Sequence, residues 1–191
     1  MLKMLILEIL LRLINSNMQK IIKFKNTIKP FNKVLNIEGD KSLSIRWALL
    51  SSQSSGKSKS YNLLQSEDVL NTLNCLKKLG VKIKLSKNYC EINGVGLNGY
   101  NFRKNITLNA GNSGTLSRLI MGFLVHSKNK ITIKGDKSLS KRDFLRIISP
   151  LKKFGANFIN KNNSLPLKIL GSEFLRPIIY NETKGSAQCK S

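Results

Sequence analysis

The chain repeats itself, and that restricts its fold more than any other feature. GDKSLSIRWALLSS begins at Gly39, and GNSGTLSRLIMGFL begins 72 residues later, at Gly111. Both run from a glycine through small polar residues to an arginine (Arg46, Arg118) and an apolar helical stretch. The segments that follow correspond too. SEDVLNTLNCLKKLGVKIKL starts at Ser66 and SKRDFLRIISPLKKFGANFI at Ser140, with Gly80 and Gly155 at matching places 75 residues apart. GSAQCKS, from Gly185, reads as the opening of a third copy. A unit this small cannot bury its apolar face alone, so neighbouring copies must share a core. The expectation is two strand–helix–strand–helix–strand units and the start of a third, that is, an incomplete domain. In numbers, 1–17 is an extension of uncertain status and 18–38 holds leading strands. Residues 39–184 form the two units, and 185–191 begin the third.

Local patterning supports alternating elements. IIKFKN and KVLNIEG read as strands, as do VKIKL, YCEING and NITLN. SIRWALLSSQ reads as a helix with Ile45, Leu49 and Leu50 on its apolar side. Val69, Leu70, Leu73, Leu76 and Leu79 form the stripe of a second helix, with Ser66 as N-cap and Gly80 as its stop. Residues 1–17 are apolar, but Glu8 and Arg12 interrupt them. They are too short for a membrane span and lack a cleavage site, and Met18 is an alternative start.

The net charge of +23 suggests a polyanionic partner. Its composition argues otherwise: 26 of the 33 basic residues are Lys, spread along the chain. Arg, the better fork for phosphate, is scarce. Aromatics are 7%, too few for a stacking platform. A solvated basic surface is expected, with small anions as ligands and neither nucleic acid nor membrane as partner. Cys75, Cys90 and Cys189 show no metal or disulfide spacing, and a reducing, cytoplasmic setting follows. His126, the one histidine, reads as a helix-end residue rather than catalytic machinery. SSQSSGKS (residues 51–58) resembles a phosphate-binding loop, but Ser51 stands where that motif needs Gly, and a helix precedes it.

The repeat openings are where chemistry belongs. Each sets a glycine and small polar residues at a strand-to-helix turn, where unpaired N–H groups and the helix dipole favour an anion. Lys41, Ser42 and Arg46 accompany the first opening. Asn112, Ser113, Gly114, Thr115 and Arg118 accompany the second, and Ser186 and Gln188 the third. GDKSLS recurs letter for letter at Gly135, followed by Lys141 and Arg142. It falls out of phase with the repeat, so the identity reads as partly accidental. Together these turns predict a basic, hydroxyl-rich site for phosphorylated or carboxylated small molecules.

GDKSLSIR, SEDV, GNSGTLSR, GDKSLSKR and GSAQCKS, in this order, resemble the N-terminal part of the 5-enolpyruvylshikimate-3-phosphate synthase family, from about Ile21 to Ser191. The resemblance implies an α/β (α+β) fold of βαβαββ units in pseudo-threefold array. It implies transfer of the enolpyruvyl group of phosphoenolpyruvate to shikimate 3-phosphate without cofactor or metal, by an enzyme that is a cytoplasmic monomer at full length. Lys41 would touch both substrates. Ser42, Arg46, Ser186, Ala187 and Gln188 would hold shikimate 3-phosphate, and Gly114 and Arg142 phosphoenolpyruvate. Asn112, Thr115 and Arg118 would support the site, and Asp68 would stand near Arg46. No catalytic acid or base is assignable in this part, so the 191 residues alone are expected to be inactive.

Several positions depart from the pattern. Arg142 is followed by Asp143 where proline is usual, a carboxylate expected to weaken anion affinity, and Glu38 precedes Gly39 where many members have proline. Two alternatives stay open. The related transferase acting on a UDP-amino sugar carries a Lys-Asn pair and a loop cysteine, which DKS here does not match. A basic RNA-binding protein of the same fold would lean on the charge alone.

Overall fold

In a computed structural model, residues 32–102, 105–160, 162–182, 185 and 187–191 are described, with residues 23 and 30. The chain divides into two units, Met1–Asn36 and Ile37–Ser191. The described residues of the first carry no helix or strand.

The second unit holds the repeat. Helix α1 (Lys41–Ser52) leads to β1 (Lys57–Tyr61), α2 (Glu67–Lys78), β2 (Lys82–Leu85) and β3 (Tyr89–Asn93). The second copy runs β4 (Ile106–Asn109), α3 (Gly114–Phe123), β5 (Ile131–Lys134), a 3-10 turn (Leu139–Lys141), α4 (Leu145–Phe154), β6 (Asn157–Phe158) and β7 (Leu167–Leu170). A short α5 (Ala187–Lys190) follows. The three strands of the first sheet correspond to three of the four in the second. The first is ordered β1-β3-β2, all antiparallel, and the second β4-β5-β7-β6, with β4 parallel to β5 and the other pairs antiparallel. This is the repeated mixed α/β architecture of an incomplete βαβαββ array.

The first sheet has no described counterpart of β4. Residues 33–39, expected as a strand, join no sheet among the described residues; the Ile37 carbonyl accepts only from the Asn62 side chain there, at 3.1 Å, and Val34 and Ile37 stay 94% and 79% exposed. Alternating apolar residues make a strand only where another backbone takes up their N–H and C=O groups. The expected strand at 21–26 lies outside the described residues except for Lys23.

Each helix ends as its chemistry dictates. Asp40 accepts the Leu43 N–H at 2.7 Å to start α1, and Ser113 accepts the Leu116 N–H at 3.3 Å to start α3. Ser66 sits at the N-cap of α2, but its hydroxyl makes no capping bond and is buried without a partner among the described residues. Gly80 and Gly155 stop α2 and α4 at φ +90° and +121°, where a Cβ is unfavourable.

The helices face inward onto one core that includes Ile45, Leu49, Leu73, Leu76, Leu116, Ile120 and Phe144. Leu50, expected with Ile45 and Leu49, is instead 65% exposed. It lies about 100° around the helix from Leu49. Because α1 is apolar on more than one side, its pattern could not decide which side turns inward. Thr72 is fully buried and returns its hydroxyl to the Asp68 carbonyl at 2.9 Å.

Candidate functional site

The packing of the helices brings the glycine-led turns together. Lys41 and Ser42 open α1, and Arg46 stands one turn in, its guanidinium donating to the Ser42 carbonyl at 3.4 Å. The other end of that guanidinium donates to the Ser191 hydroxyl at 3.0 Å, tying α1 to the segment after α5. Gln188, on α5, donates to the Thr115 hydroxyl in the first turn of α3 at 3.2 Å. Contacts therefore run from the first opening to the third, and from the third to the second. Ala187 begins α5, and Ser186 lies outside the described residues.

At Gly114 the backbone lies against two of the cations. A Cβ there would stand 2.8 Å from an Arg118 guanidinium nitrogen and 3.0 Å from one of Arg142. Arg118 donates to the Gly114 carbonyl at 3.3 Å and to the Asp143 carbonyl at 3.4 Å, and lies 4.8 Å from the centroid of the buried Phe144 ring. Burial, followed by the charge of Arg142, pulls the Arg118 pKa down; Asp143 pulls the other way, and Arg146 adds a smaller downward pull. A crowded, partly desolvated cation set of this kind is relieved by an anion.

Two carboxylates have partners that the sequence did not suggest. Asp68, expected near Arg46, pairs with Lys41 at 3.1 Å. It sits one residue inside α2, whose first turn faces the start of α1 and also brings Glu67 to within 3.5 Å of where a Gly111 Cβ would lie. Asp143 was expected to oppose an anion beside Arg142. Its carboxylate accepts the Leu145 N–H at 2.8 Å at the start of α4, and its charge still acts on Arg118. No ion pair joins it to an arginine among the described residues.

The second GDKSLS, expected to match the first partly by accident, builds the same turn. Asp136 accepts the Leu139 N–H at 2.7 Å, as Asp40 accepts that of Leu43. Ser140 and Ser44 each return their N–H to the aspartate carbonyl, at 3.0 and 2.9 Å. The hexapeptide builds one capped turn twice: the first continues as α1, and the second stops at Lys141 and delivers Arg142 beside Gly114. Asp136 also accepts from the Asn112 side chain at 2.5 Å, a link whose only sequence signal was that repeated hexapeptide.

A cavity of about 580 Å³ lies at the other end of α3, against Phe123, His126, Lys128 and Phe174, away from the cations. Among the described residues no group of three His, Cys, Asp or Glu side chains could hold a metal ion, and no helix is long and apolar enough to cross a membrane. Cys75 and Cys90 are buried, and burial pushes both thiols up to about 11.

Residues 25–191 match the family model of EPSP synthase (3-phosphoshikimate 1-carboxyvinyltransferase). The chain belongs to the EPSP synthase family. A 3-phosphoshikimate 1-carboxyvinyltransferase of Ruthia magnifica subsp. Calyptogena magnifica is 44% identical over 171 residues, covering 87% of this chain and 39% of that protein. One from Petrotoga mobilis is 39% identical over 163 residues, covering 84% of this chain and 38% of its own length. The EPSP synthase structure from Acinetobacter baumannii superposes with a TM-score of 0.76 at 35% identity, over 82% of this chain and 36% of that one. The chain thus spans about two fifths of the EPSP synthases it matches.

Proposed function

We propose that the chain is the anion-binding part of an enzyme that transfers the enolpyruvyl group of phosphoenolpyruvate to shikimate 3-phosphate and releases phosphate. The observation that carries this reading is the meeting of Arg118 and Arg142 over the α3 N-terminus at Gly114. There the backbone dipole and two guanidinium groups address the same space.

In this reading Arg142, with the bare backbone at Gly114, takes phosphoenolpyruvate. Ser42, Arg46, Ser186, Ala187 and Gln188 take shikimate 3-phosphate, with Lys41 between the two substrates. The Arg46–Ser191 and Gln188–Thr115 contacts support a shared pocket for the first and third turns. Asn112, Thr115 and Arg118 hold the turn around Gly114, and Asp68 holds Lys41 until an anion competes for it.

The task is mainly electrostatic. Two unit negative charges about 4 Å apart repel by about 4 kcal/mol at an effective dielectric of about 20. Lys41, Arg46, Arg118 and Arg142 offset that repulsion and align the attacking hydroxyl with the enolpyruvyl carbon. The hydroxyl adds to that carbon while its methylene carbon takes a proton. Loss of phosphate and of a methyl proton then regenerates the double bond in the product. The groups that move these protons are not assigned to this part of the molecule. A cytoplasmic, monomeric full-length enzyme belongs to the same reading.

Because it spans about two fifths of its relatives, the 191-residue chain is expected to bind but not to turn over. Calorimetric titration with shikimate 3-phosphate tests the site: Lys41→Ala and Arg46→Ala should each weaken binding at least about tenfold, the worth of one charged hydrogen bond. If both variants bind like the parent, the assignment is wrong. Phosphate release by the isolated chain would contradict the expected division of labour.

A further inference from the structure

Arg142 ends one turn and Gly114 follows another, and their spacing must be held by something. Arg142 ends the 3-10 turn Leu139–Lys141, its N–H returning to the Leu139 carbonyl at 3.1 Å. Gly114 follows the turn of Gly111, Asn112 and Ser113. Two backbone bonds join the loops, from the Asp136 N–H to the Gly111 carbonyl and from the Ala110 N–H to the Lys134 carbonyl, both 2.8 Å.

The Asp136 side chain adds what backbone bonds cannot. One carboxylate oxygen caps the turn that carries Arg142, through the Leu139 N–H at 2.7 Å. The other accepts from Asn112, two residues before Gly114, at 2.5 Å. Asp40, in the identical hexapeptide, shares the capping bond but has no Asn112 equivalent beside it among the described residues: its loop leads straight into α1. The extra bond occurs where two loops, not one, must be registered. A carboxylate beside a site for anions is otherwise unfavourable, and here its charge is taken up by donors. The Leu139 N–H and the Asn112 amide hold its pKa below the ordinary carboxylate range, with Arg142 contributing less.

We propose that Asp136 is a positioning residue that sets the Arg142–Gly114 spacing by clamping Asn112 to the capped 136–141 turn, so that phosphoenolpyruvate affinity, and not shikimate 3-phosphate affinity, depends on it. The proposal rests on the functional reading above. It concerns a residue that touches neither substrate and acts through Asn112 and Arg142.

The test is an NMR titration of the 191-residue chain, read at the Gly114 amide for phosphoenolpyruvate and at the Arg46 side chain for shikimate 3-phosphate. Asp136→Asn keeps a capping oxygen for Leu139 but sets an amide donor against the Asn112 donor. It should weaken phosphoenolpyruvate about fivefold, as expected for one exposed charge-assisted bond, and shikimate 3-phosphate less than about twofold. Asn112→Asp combined with Asp136→Asn restores a donor facing an acceptor and should recover most of the loss. Asn112→Ala leaves the cap untouched and should reproduce the loss even if Asp136→Asn fails to fold. Unchanged phosphoenolpyruvate binding in the single variants, equal weakening of both ligands, or no recovery in the double variant would each overturn the proposal. A parent chain that binds neither ligand would overturn the functional reading itself, a separate outcome, and the clamp's role with it.

Discussion

Gly114→Ala separates folding from binding in a way the geometry lets one work through. Gly114 is the first residue of α3 and carries no positive φ, so an alanine adopts its backbone without strain. Glycine costs a helix interior about 1 kcal/mol relative to alanine, and less at the first position, so the fold should gain about 0.5 kcal/mol. The new methyl would meet Arg118 and Arg142 nitrogens at 2.8 and 3.0 Å and Leu139 Cδ1 at 3.8 Å. Only the two guanidinium groups must yield, each by about half an ångström to reach ordinary contact, and both are ends of flexible chains. Moving a cation from about 4.0 to 4.6 Å from an anion loses about 0.5 kcal/mol at an effective dielectric of about 20. Two such losses, reduced at the exposed Arg142 by screening, come to roughly 1 kcal/mol, or about fivefold in affinity, before counting the N–H approach that the methyl covers. Urea unfolding and a phosphoenolpyruvate titration on the same preparation should therefore move in opposite directions. A variant that loses more than about 1 kcal/mol of stability while binding as the parent does would refute the placement of the two arginines.

Asp68→Asn should change stability by less than about 1 kcal/mol, since its partner Lys41 is half exposed. The same substitution should tighten shikimate 3-phosphate binding by freeing Lys41; weaker binding in calorimetry would contradict this. Asp136 has its folded pKa depressed, so its contribution to stability is present above the unfolded value of 3.8 and is lost as pH falls through the lower folded value. The urea midpoints of the parent and Asp136→Asn should accordingly converge below pH 3.8, and a constant gap down to pH 2 would exclude that linkage. Alkylation at pH 8 should leave Cys75 and Cys90 untouched until the chain unfolds, because burial holds both thiols near 11; rapid native labelling of either would show the core to be open.

What could be read before folding was whatever the chain states twice. The paired openings at Gly39 and Gly111, the stripe of α2 and the stops at Gly80 and Gly155 are local features, and each became the element its chemistry demanded. The candidate cations were legible as well, since Lys41, Arg46, Arg118 and Arg142 sit beside glycine-led turns. Partner choice was less legible. Asp68, expected near Arg46, pairs with Lys41, and Asp143, expected to weaken anion binding, also caps α4. A carboxylate goes to whichever donor the packing brings within reach, and sequence distance does not measure that.

By itself the sequence determined the repeat, its helices and turns, and the residue types gathered at them, because these depend on near-neighbour backbone preferences and periodic burial. Only the tertiary structure decided that residues 33–39 join no sheet among the described residues, that Leu50 faces water, and that Asp136 reaches Asn112 across 24 positions. Those outcomes hang on contacts between distant segments, whose energies exist only once the core around Leu116 and Phe144 has drawn the two copies together.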